Sequence, residues 1–298
     1  MVSWNEINYP VFEGSNRYTI GSDDLRTRNF FYLFGCICLI FLFSGLVWAA
    51  NHNLGEIEAG TYSLIAVSNH MPTLYKKADQ YWKSLQRVEL EIGHVDQFKD
   101  VPKLGLKNPY TGKIKLGDKP DQSFGVIVDI VGEEKRLYID TDGDGSFAGE
   151  KWVPLLNEWY GNQNYWIIAP EPIQLMVGYR AKPERKFPIE VSASGALIDS
   201  GSAQKMKPFL LIENRTWFLA KVNEDGTEKL VAVIDQNHNG CFNDPGDWFL
   251  IDYNDDSFFT IDEAKNRKKG LFIKSKNKSL KIDWDAYPDM LTLRRESK

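Results

Sequence analysis

The hydrophobic pattern is dominated by one apolar run near the amino terminus. Residues 30–50 read FFYLFGCICLIFLFSGLVWAA, 21 positions without a charged side chain. A helix of this length, at ~1.5 Å rise per residue, reaches about 31 Å and matches a hydrocarbon core of about 30 Å. We therefore predict a single membrane-spanning helix over residues 29–50.

The basic residues that flank this run predict its orientation. Arg17, Arg26 and Arg28 precede it, whereas residues 51–75 contain no Lys or Arg. Because basic flanks stay in the cytoplasm, the amino terminus is expected inside and the bulk of the chain outside. This indicates a single-pass protein of a bacterial-type inner membrane, with a periplasmic or extracellular carboxyl-terminal part.

A cleaved signal peptide, with Ala49 or Ala50 at its exit, is the alternative interpretation of the same run. The run is longer than the usual apolar region of a signal peptide, and a long polar segment precedes it. We favour the uncleaved anchor. Both interpretations place the soluble part outside the cytoplasm.

Residues 51–72 are predicted to form a linker, and a segment with helical spacing follows them. Between Thr73 and Glu91, apolar residues recur at intervals of three and four, which predicts one short helix near the membrane. These residues are Leu74, Ala78, Tyr81, Leu85 and Val88.

The rest of the chain alternates in short apolar runs separated by turn residues, which is typical of antiparallel β-structure. We predict strands in residues 125–131, 136–139, 165–168, 216–220, 229–234 and 271–274.

Two segments of this β region resemble each other. Residues 133–147 and residues 228–242 each contain a strand that ends in Ile-Asp, an acidic loop with Gly at its sixth position, and a Phe two residues later. This similarity predicts a mainly-β soluble part built from two tandem, related units. The predicted organisation is a tail at 1–28, the spanning helix at 29–50, a linker and helix at 51–100, and β units at 101–190 and 191–298.

Composition changes this picture only by exclusion. The net charge of −5 is not the basic charge that is typical of nucleic-acid-binding proteins. Two of the three cysteines lie in the apolar run, and Cys241 stands alone beyond it. The soluble part has no cysteine pair for a disulfide, so its core or a metal must hold it together.

The first acidic loop has the residue types of a cation site. Asp140, Asp142 and Asp144 alternate ahead of a glycine, and the carbonyl of Ser146 is placed to face the same point. Three carboxylates this close repel one another unless a cation lies among them. Glu150 is the candidate for closing the site, because Lys151 occupies the twelfth position.

The second loop repeats the pattern with fewer charges. Its predicted ligands are Asp235, Asn237, Asn239, the carbonyl of Cys241 and, to close the loop, Asp244 or Asp247. A third stretch, residues 252–257, alternates in the same way but lacks the glycine, and is the weakest candidate. The alternative for all three is an acidic turn without metal.

These strings resemble the calcium loops of EF-hands, dockerins and thrombospondin aspartate-rich repeats over about a dozen residues. The resemblance implies Ca²⁺ as the bound ion. The flanking segments are predicted strands, so a helix–loop–helix hand is not expected.

The chain carries no H-E-x-x-H, nucleophile elbow, phosphate loop or dinucleotide motif. We therefore expect a non-catalytic, calcium-stabilised scaffold or accessory subunit that associates with other membrane or envelope proteins. One alternative is a calcium-dependent glycan-binding module that uses Trp159 and Trp166. A second is an anchored hydrolase whose carboxylate pair the sequence does not single out.

The carboxyl-terminal segment 265–298 is basic, with eleven Lys or Arg against four Asp or Glu. Lysines on the solvent face of an edge strand are the plain interpretation. A patch for an acidic partner or polymer is the alternative.

Overall fold

The computed structural model describes residues 56–68, 78–160, 164–194, 207–266, 271–275 and 278–296. The predicted tail and the predicted spanning helix at 29–50 lie outside these residues. No helix within the described ranges is long and apolar enough to cross a bilayer.

Twenty strands form four antiparallel sheets across the described part of the chain. Sheet I contains, in spatial order, β4 (Glu91–Ile92), β5 (Tyr110–Ile114), β6 (Phe124–Val131), β7 (Glu134–Ile139) and β8 (Val153–Pro154). Sheet II contains β3 (Gln86–Glu89), β13 (Phe209–Asn214), β12 (Lys182–Ser194), β10 (Asn164–Ile168) and β9 (Leu156–Tyr160), and β11 (Ile173–Tyr179) also pairs with β12.

The other two sheets come mostly from the second half of the chain. Sheet III contains β17 (Ala264–Asn266), β16 (Trp248–Ile251), β15 (Thr227–Ile234), β14 (Thr216–Glu224) and β2 (Ile65–Ser68). Sheet IV contains β1 (Gly60–Ser63), β20 (Met290–Arg295), β19 (Lys278–Asp283) and β18 (Leu271–Ser275).

The mainly-β prediction is confirmed, and each of the six predicted apolar runs lies in a strand. Some of these strands are buried on both faces: in β6, Val126 and Val128 belong to the large core cluster and Ile127 to a smaller one. The large core cluster draws on all four sheets and runs from Ile57 to Leu293. Its largest fully buried side chains include Phe124, Phe187 and Phe218.

The predicted helix is shorter than its periodicity suggested. Helix α1 covers Ala78–Ser84, and residues 86–89 form β3 instead. In β3, Val88 is buried and pairs with Leu210 of β13. Pairing with the neighbouring strand β13 outweighs the helical spacing here, because a single buried residue such as Val88 is compatible with a helix or a strand.

The boundary placed between residues 190 and 191 falls inside β12, which pairs with β13 from the following segment. Sheet II therefore contains strands from both predicted β units. Residues 52–298 form one compact unit.

The acidic stretches occupy equivalent places in sheets I and III. Loop 1 (residues 140–150) connects β7 to β8, loop 2 (235–247) connects β15 to β16, and loop 3 (252–263) connects β16 to β17. Each loop starts at the residue after a strand and joins two strands that pair antiparallel. The sheets thus fix both ends of every loop.

Candidate metal centre

Each loop opens with a buried aspartate that follows a buried isoleucine. Position one is Asp140, Asp235 or Asp252, and these residues are 0, 0 and 2% exposed. The side chains at position three are exposed in all three loops. The buried carboxylate at the base and the polar side chains toward solvent are together called the cup of each loop.

The three loops share one hydrogen-bond pattern. The amide at position five donates to one carboxylate oxygen of position one, at 3.2, 3.3 and 3.2 Å in loops 1, 2 and 3. The amide at position six donates to the other oxygen, at 2.9, 2.7 and 3.0 Å. The amide at position seven donates to the side chain of position five, at 2.7, 2.8 and 2.8 Å.

The backbone turns in the same way in every loop. Positions four and six have positive φ in all three: Gly143 and Gly145, His238 and Gly240, and Asp255 and Ser257. Ser257 adopts φ 63° although serine rarely takes this conformation. The missing glycine, which made loop 3 the weakest candidate, therefore does not change the turn.

An acidic side chain closes each loop. Glu150, Asp247 and Glu263 accept a hydrogen bond from the amide at position two, at 2.7, 3.2 and 3.1 Å. Glu263 was missed by the sequence reasoning. Its signal is its place, since it is the twelfth residue counted from Asp252, where EF-hand loops carry a bidentate Glu.

Loop 1 brings its predicted carboxylates together. Single oxygens of Asp140, Asp142 and Asp144 lie within 4.8 Å of one another. Burial raises the pKa of Asp140 above its usual value. The Ser146 hydroxyl donates to Asp100 at 2.7 Å and accepts from the Ala148 amide at 3.1 Å, which favours the backbone carbonyl of Ser146 as the ligand.

Loop 2 holds two buried carboxyl groups with no ion pair to Lys or Arg among the described residues. Asp235 and Asp247 are both 0% exposed. Burial raises the pKa of Asp235 to about 7. Burial and the nearby Asp235 charge raise the pKa of Asp247 to about 8. A divalent cation would offset this cost, because it favours the ionised form of both groups.

A buried polar network fixes the base of loop 2. Asn214 donates through Nδ2 to Asp235 at 2.9 Å, and its backbone amide donates to Nδ1 of His238 at 3.1 Å. Both Asn214 and His238 are fully buried. Burial lowers the pKa of His238 to about 4, so the ring is a neutral structural residue at neutral pH.

The remaining predicted residues of loop 2 lie around the same cup. Asp244 accepts hydrogen bonds from the side-chain amides of Asn237 and Asn239, at 3.1 and 2.6 Å. The Cys241 amide donates to Asn239 at 2.8 Å. The Cys241 thiol is buried, and burial raises its pKa to about 12, so only its carbonyl suits a hard cation.

Trp159 and Trp166, the tryptophans of the glycan alternative, lie in the paired strands β9 and β10. Their side chains are outside what the structure describes.

Loops 1 and 2 differ in how closely the rest of the protein approaches position six. A Cβ built on Gly240 lies 2.9 Å from the Gly117 amide nitrogen, whereas a Cβ built on Gly145 has no atom within 4 Å. Both glycines have positive φ, near 80°. An alanine would therefore have the same backbone strain at either position, but only an alanine at position 240 would also contact neighbouring atoms too closely.

We expect Gly145→Ala to lower the free energy of unfolding by about 1–2 kcal/mol, the cost of a left-handed residue. Gly240→Ala must also displace the backbone at Gly117, for a total of about 2–5 kcal/mol. Urea unfolding in a chelator measures both without a contribution from metal. Equal losses would show that the approach of Gly117 to loop 2 is not rigid.

The raised pKa values predict a pH dependence for the metal-free protein. A carboxyl whose pKa is higher in the folded state than in the unfolded state stabilises below the unfolded value, and this contribution is lost as pH rises through the folded value. Asp235 and Asp247 therefore make the chain less stable as pH rises toward about 8. His238 acts oppositely, because its lowered pKa costs stability only below its ordinary value of 6.5.

Between pH 6.5 and about 8 we thus expect the stability in chelator to fall, and the stabilisation by Ca²⁺ to grow. Urea unfolding at the two ends of this window measures the change. The isosteric variant Asp247→Asn serves as the control and should flatten the slope. A metal-free stability that rises across the window would contradict the burial of these two ionisable groups.

Comparison of the chain with protein-family models, with curated proteins and with solved structures gave no match.

Proposed function

We propose that this chain is a non-catalytic, membrane-anchored scaffold or accessory subunit whose extracytoplasmic β part is stabilised by Ca²⁺. One observation carries the proposal. Three loops in two sheets share the same hydrogen bonds, the same two positive-φ positions and a closing acid on the position-two amide. Identical construction at three places is better explained by a common ligand than by three independent turns.

The donor set favours calcium over other ions. Every candidate ligand is an oxygen from a carboxylate, a side-chain amide or a backbone carbonyl, which suits a hard cation. The three loops differ in their ligands: some positions carry Asn instead of Asp, and the closing acid is Glu or Asp. Calcium accepts such variation, whereas magnesium requires near-octahedral geometry and keeps several waters.

The architecture also supports the duplication proposed from sequence. In both copies a hairpin runs directly into the acidic loop: β6 and β7 precede loop 1, and β14 and β15 precede loop 2. The Phe two residues beyond position six is buried in both copies, as Phe147 and Phe242. Loop 3 adds a further example on the next strand of sheet III.

The anchor and the outside location rest on the apolar run at 30–50 and on its basic flank. An extracytoplasmic compartment suits the metal, because extracellular modules bind Ca²⁺ with dissociation constants of about 10⁻⁴–10⁻³ M. The accessory role rests on the anchor together with a β part that carries no recognised catalytic motif.

The assembly is tested by extracting the full chain from its native membrane in mild detergent, with Ca²⁺ present. We expect the chain to elute in size-exclusion chromatography with other membrane proteins at a fixed ratio. Chelator should release it, because unsupported acidic loops distort the surface that the partners contact. Elution as a lone monomer in Ca²⁺ would contradict the accessory role. It would not contradict the proposed metal sites.

A further inference from the structure

Sheet IV has one apolar face and one face that points to solvent. Alternate residues of β18, β19 and β20 are at most 4% exposed and belong to the large core cluster: Leu271, Ile273, Leu280, Ile282, Leu291 and Leu293. Since successive side chains of a strand point to opposite faces, the intervening residues form the outer face of sheet IV.

A basic row with two cations crosses that outer face. Phe272 of β18 pairs with Lys281 of β19, and Lys281 pairs with Arg294 of β20. Lys274 lies two residues along β18 on the same face. Like charges directly opposite each other destabilise a sheet, so Lys281 and Arg294 are placed at a cost.

No ion pair offsets this cost among the described residues. Salt bridges to Lys274, Lys281 or Arg294 are absent from that part of the chain, whereas Lys278 of the same sheet pairs with Glu56. Two acids share the outer face: Asp283 lies two residues along β19 from Lys281, and Glu296 donates its amide to the carbonyl of Ser279, the partner of Lys274. Asp283 accepts a hydrogen bond from the Trp284 amide at 3.1 Å.

The charge of this region contrasts with that of the whole chain. Segment 265–298 carries eleven Lys or Arg and four Asp or Glu, a net charge of +7, in a chain whose total is −5. Within that segment, the strands β18, β19 and β20 themselves carry five Lys or Arg and one Asp, a net charge of +4. An anionic partner would be attracted to this face and repelled by most of the remaining surface.

Apolar side chains accompany the cations. Phe272 is 40% exposed and Met290 is 44% exposed, both on the outer face. Cations interspersed with exposed apolar groups suit a bilayer interface, where basic groups meet anionic headgroups and rings enter the headgroup layer. A soluble polyanion would use the charges and leave these apolar groups in water.

The sequence joins this sheet to the predicted anchor by a short stretch. Strand β1 is the edge strand of sheet IV and starts at Gly60, ten residues after Ala50 ends the apolar run. Ten residues span at most about 35 Å when fully extended. Gly60 pairs with Leu293, the residue before Arg294, so the chain enters the sheet at the basic row.

We propose that the outer face of sheet IV docks on a bilayer surface that carries anionic lipid headgroups. The proposal rests on the proposed anchor for its short tether, and on Lys274, Lys281 and Arg294 for its charge. Docking holds the β part close against the membrane and leaves sheets I to III to contact other proteins.

The test uses the full chain in nanodiscs of phosphatidylcholine, with or without phosphatidylglycerol. A fluorophore on Thr61→Cys, an exposed position of β1, reports contact through quenching by headgroup-spin-labelled lipid. Cys36 and Cys38 are replaced by Ala so that only the introduced thiol is labelled, because Cys241 is buried. We expect strong quenching with phosphatidylglycerol, and weak quenching without it or at high salt.

Two matched variants distinguish the effect of charges on the outer face of sheet IV from the effect of the total charge of the protein. The basic-face variant is Lys274→Gln, Lys281→Gln and Arg294→Gln. The control variant, Lys103→Gln, Lys107→Gln and Lys186→Gln, removes the same charge from other exposed positions. Only the basic-face variant should reduce quenching to the level of neutral discs. Equal quenching in neutral discs, or equal loss in both variants, would overturn the proposal.

A second arm distinguishes failure of the anchor from failure of the docking face. If the full chain does not incorporate into discs, the anchor is wrong, and sedimentation with preformed phosphatidylglycerol vesicles tests the face alone. There the basic-face variant should lower the partition coefficient about 100-fold, since each cation near an anionic surface contributes roughly tenfold or less. Binding to heparin that depends on the three cations, without binding to vesicles, would overturn the lipid assignment.

Discussion

Adding Ca²⁺ to the metal-free protein is expected to raise its free energy of unfolding by about 4–8 kcal/mol at 10 to 100 times the dissociation constant, if all three loops bind. The gain comes from mass action, because the folded cups bind the ion and the unfolded chain does not. At roughly 2–4 °C per kcal/mol for a chain of this size, the melting temperature should rise by about 10 °C or more. Calorimetric titration and thermal melts in Ca²⁺ and in chelator measure it.

Loop 3 gives this prediction a sharp internal control. Glu263→Gln keeps the size of the closing side chain but removes its charge, so one of three ions should be lost and the melting gain should fall by about a third. Glu296→Gln removes the same charge from an exposed position of β20's carboxyl end and should leave both quantities unchanged. If adding Ca²⁺ produced no heat and no shift of the melting temperature, the metal proposal would be contradicted for all three loops.

Replacing Phe242 by alanine is expected to destabilise the protein by about 3–5 kcal/mol, the range for a large aromatic side chain deleted from a core. Phe242 is 0% exposed, and its ring centroid lies 4.7 Å from that of Phe218 and 6.4 Å from that of Phe187. Its carbonyl also accepts a hydrogen bond from the Trp284 indole. The ring ties loop 2 to the core of several sheets.

Phe147, its counterpart after loop 1, provides the comparison. Phe147 packs in a separate small cluster, with its ring centroid 5.3 Å from that of Phe98 and with half-buried neighbours. The neighbours of Phe147 can collapse into the space that alanine leaves, so Phe147→Ala should cost less, by about 1 kcal/mol or more. Denaturant unfolding of both variants in chelator measures the difference. Equal costs would show that the two loops are anchored equally.

The acidic loops could be recognised from the sequence because the geometry of a tight loop is local. Positions one, three, five and six are close together in the sequence, so the spacing of Asp140, Asp142 and Asp144 is enough to predict the conformation of the loop. The same reasoning ranked loop 3 lowest, because it treated glycine at position six as required. Ser257 adopts the same conformation, since the paired strands β16 and β17 hold both ends of the loop.

Helix α1 shows where periodicity alone fails. Leu85 and Val88 continue the helical spacing of α1, yet helix α1 ends at Ser84. Spacings of three and four residues on a short segment do not distinguish a helix from a helix followed by a strand. The outcome depended on β13, whose backbone groups pair with β3 and lie more than a hundred residues away in sequence.

The amino-acid sequence by itself determined the β class, the places of six strands and the residue types of the first two loops, because alternation and turn chemistry act over neighbouring residues. Only the tertiary structure decided which strands share a sheet and that Glu263 closes loop 3. It also decided that sheet II combines strands from both predicted β units, and that Lys281 and Arg294 lie opposite each other. Those facts depend on pairing between distant segments, and the free energy of that pairing comes from burying one shared core, which no local pattern encodes.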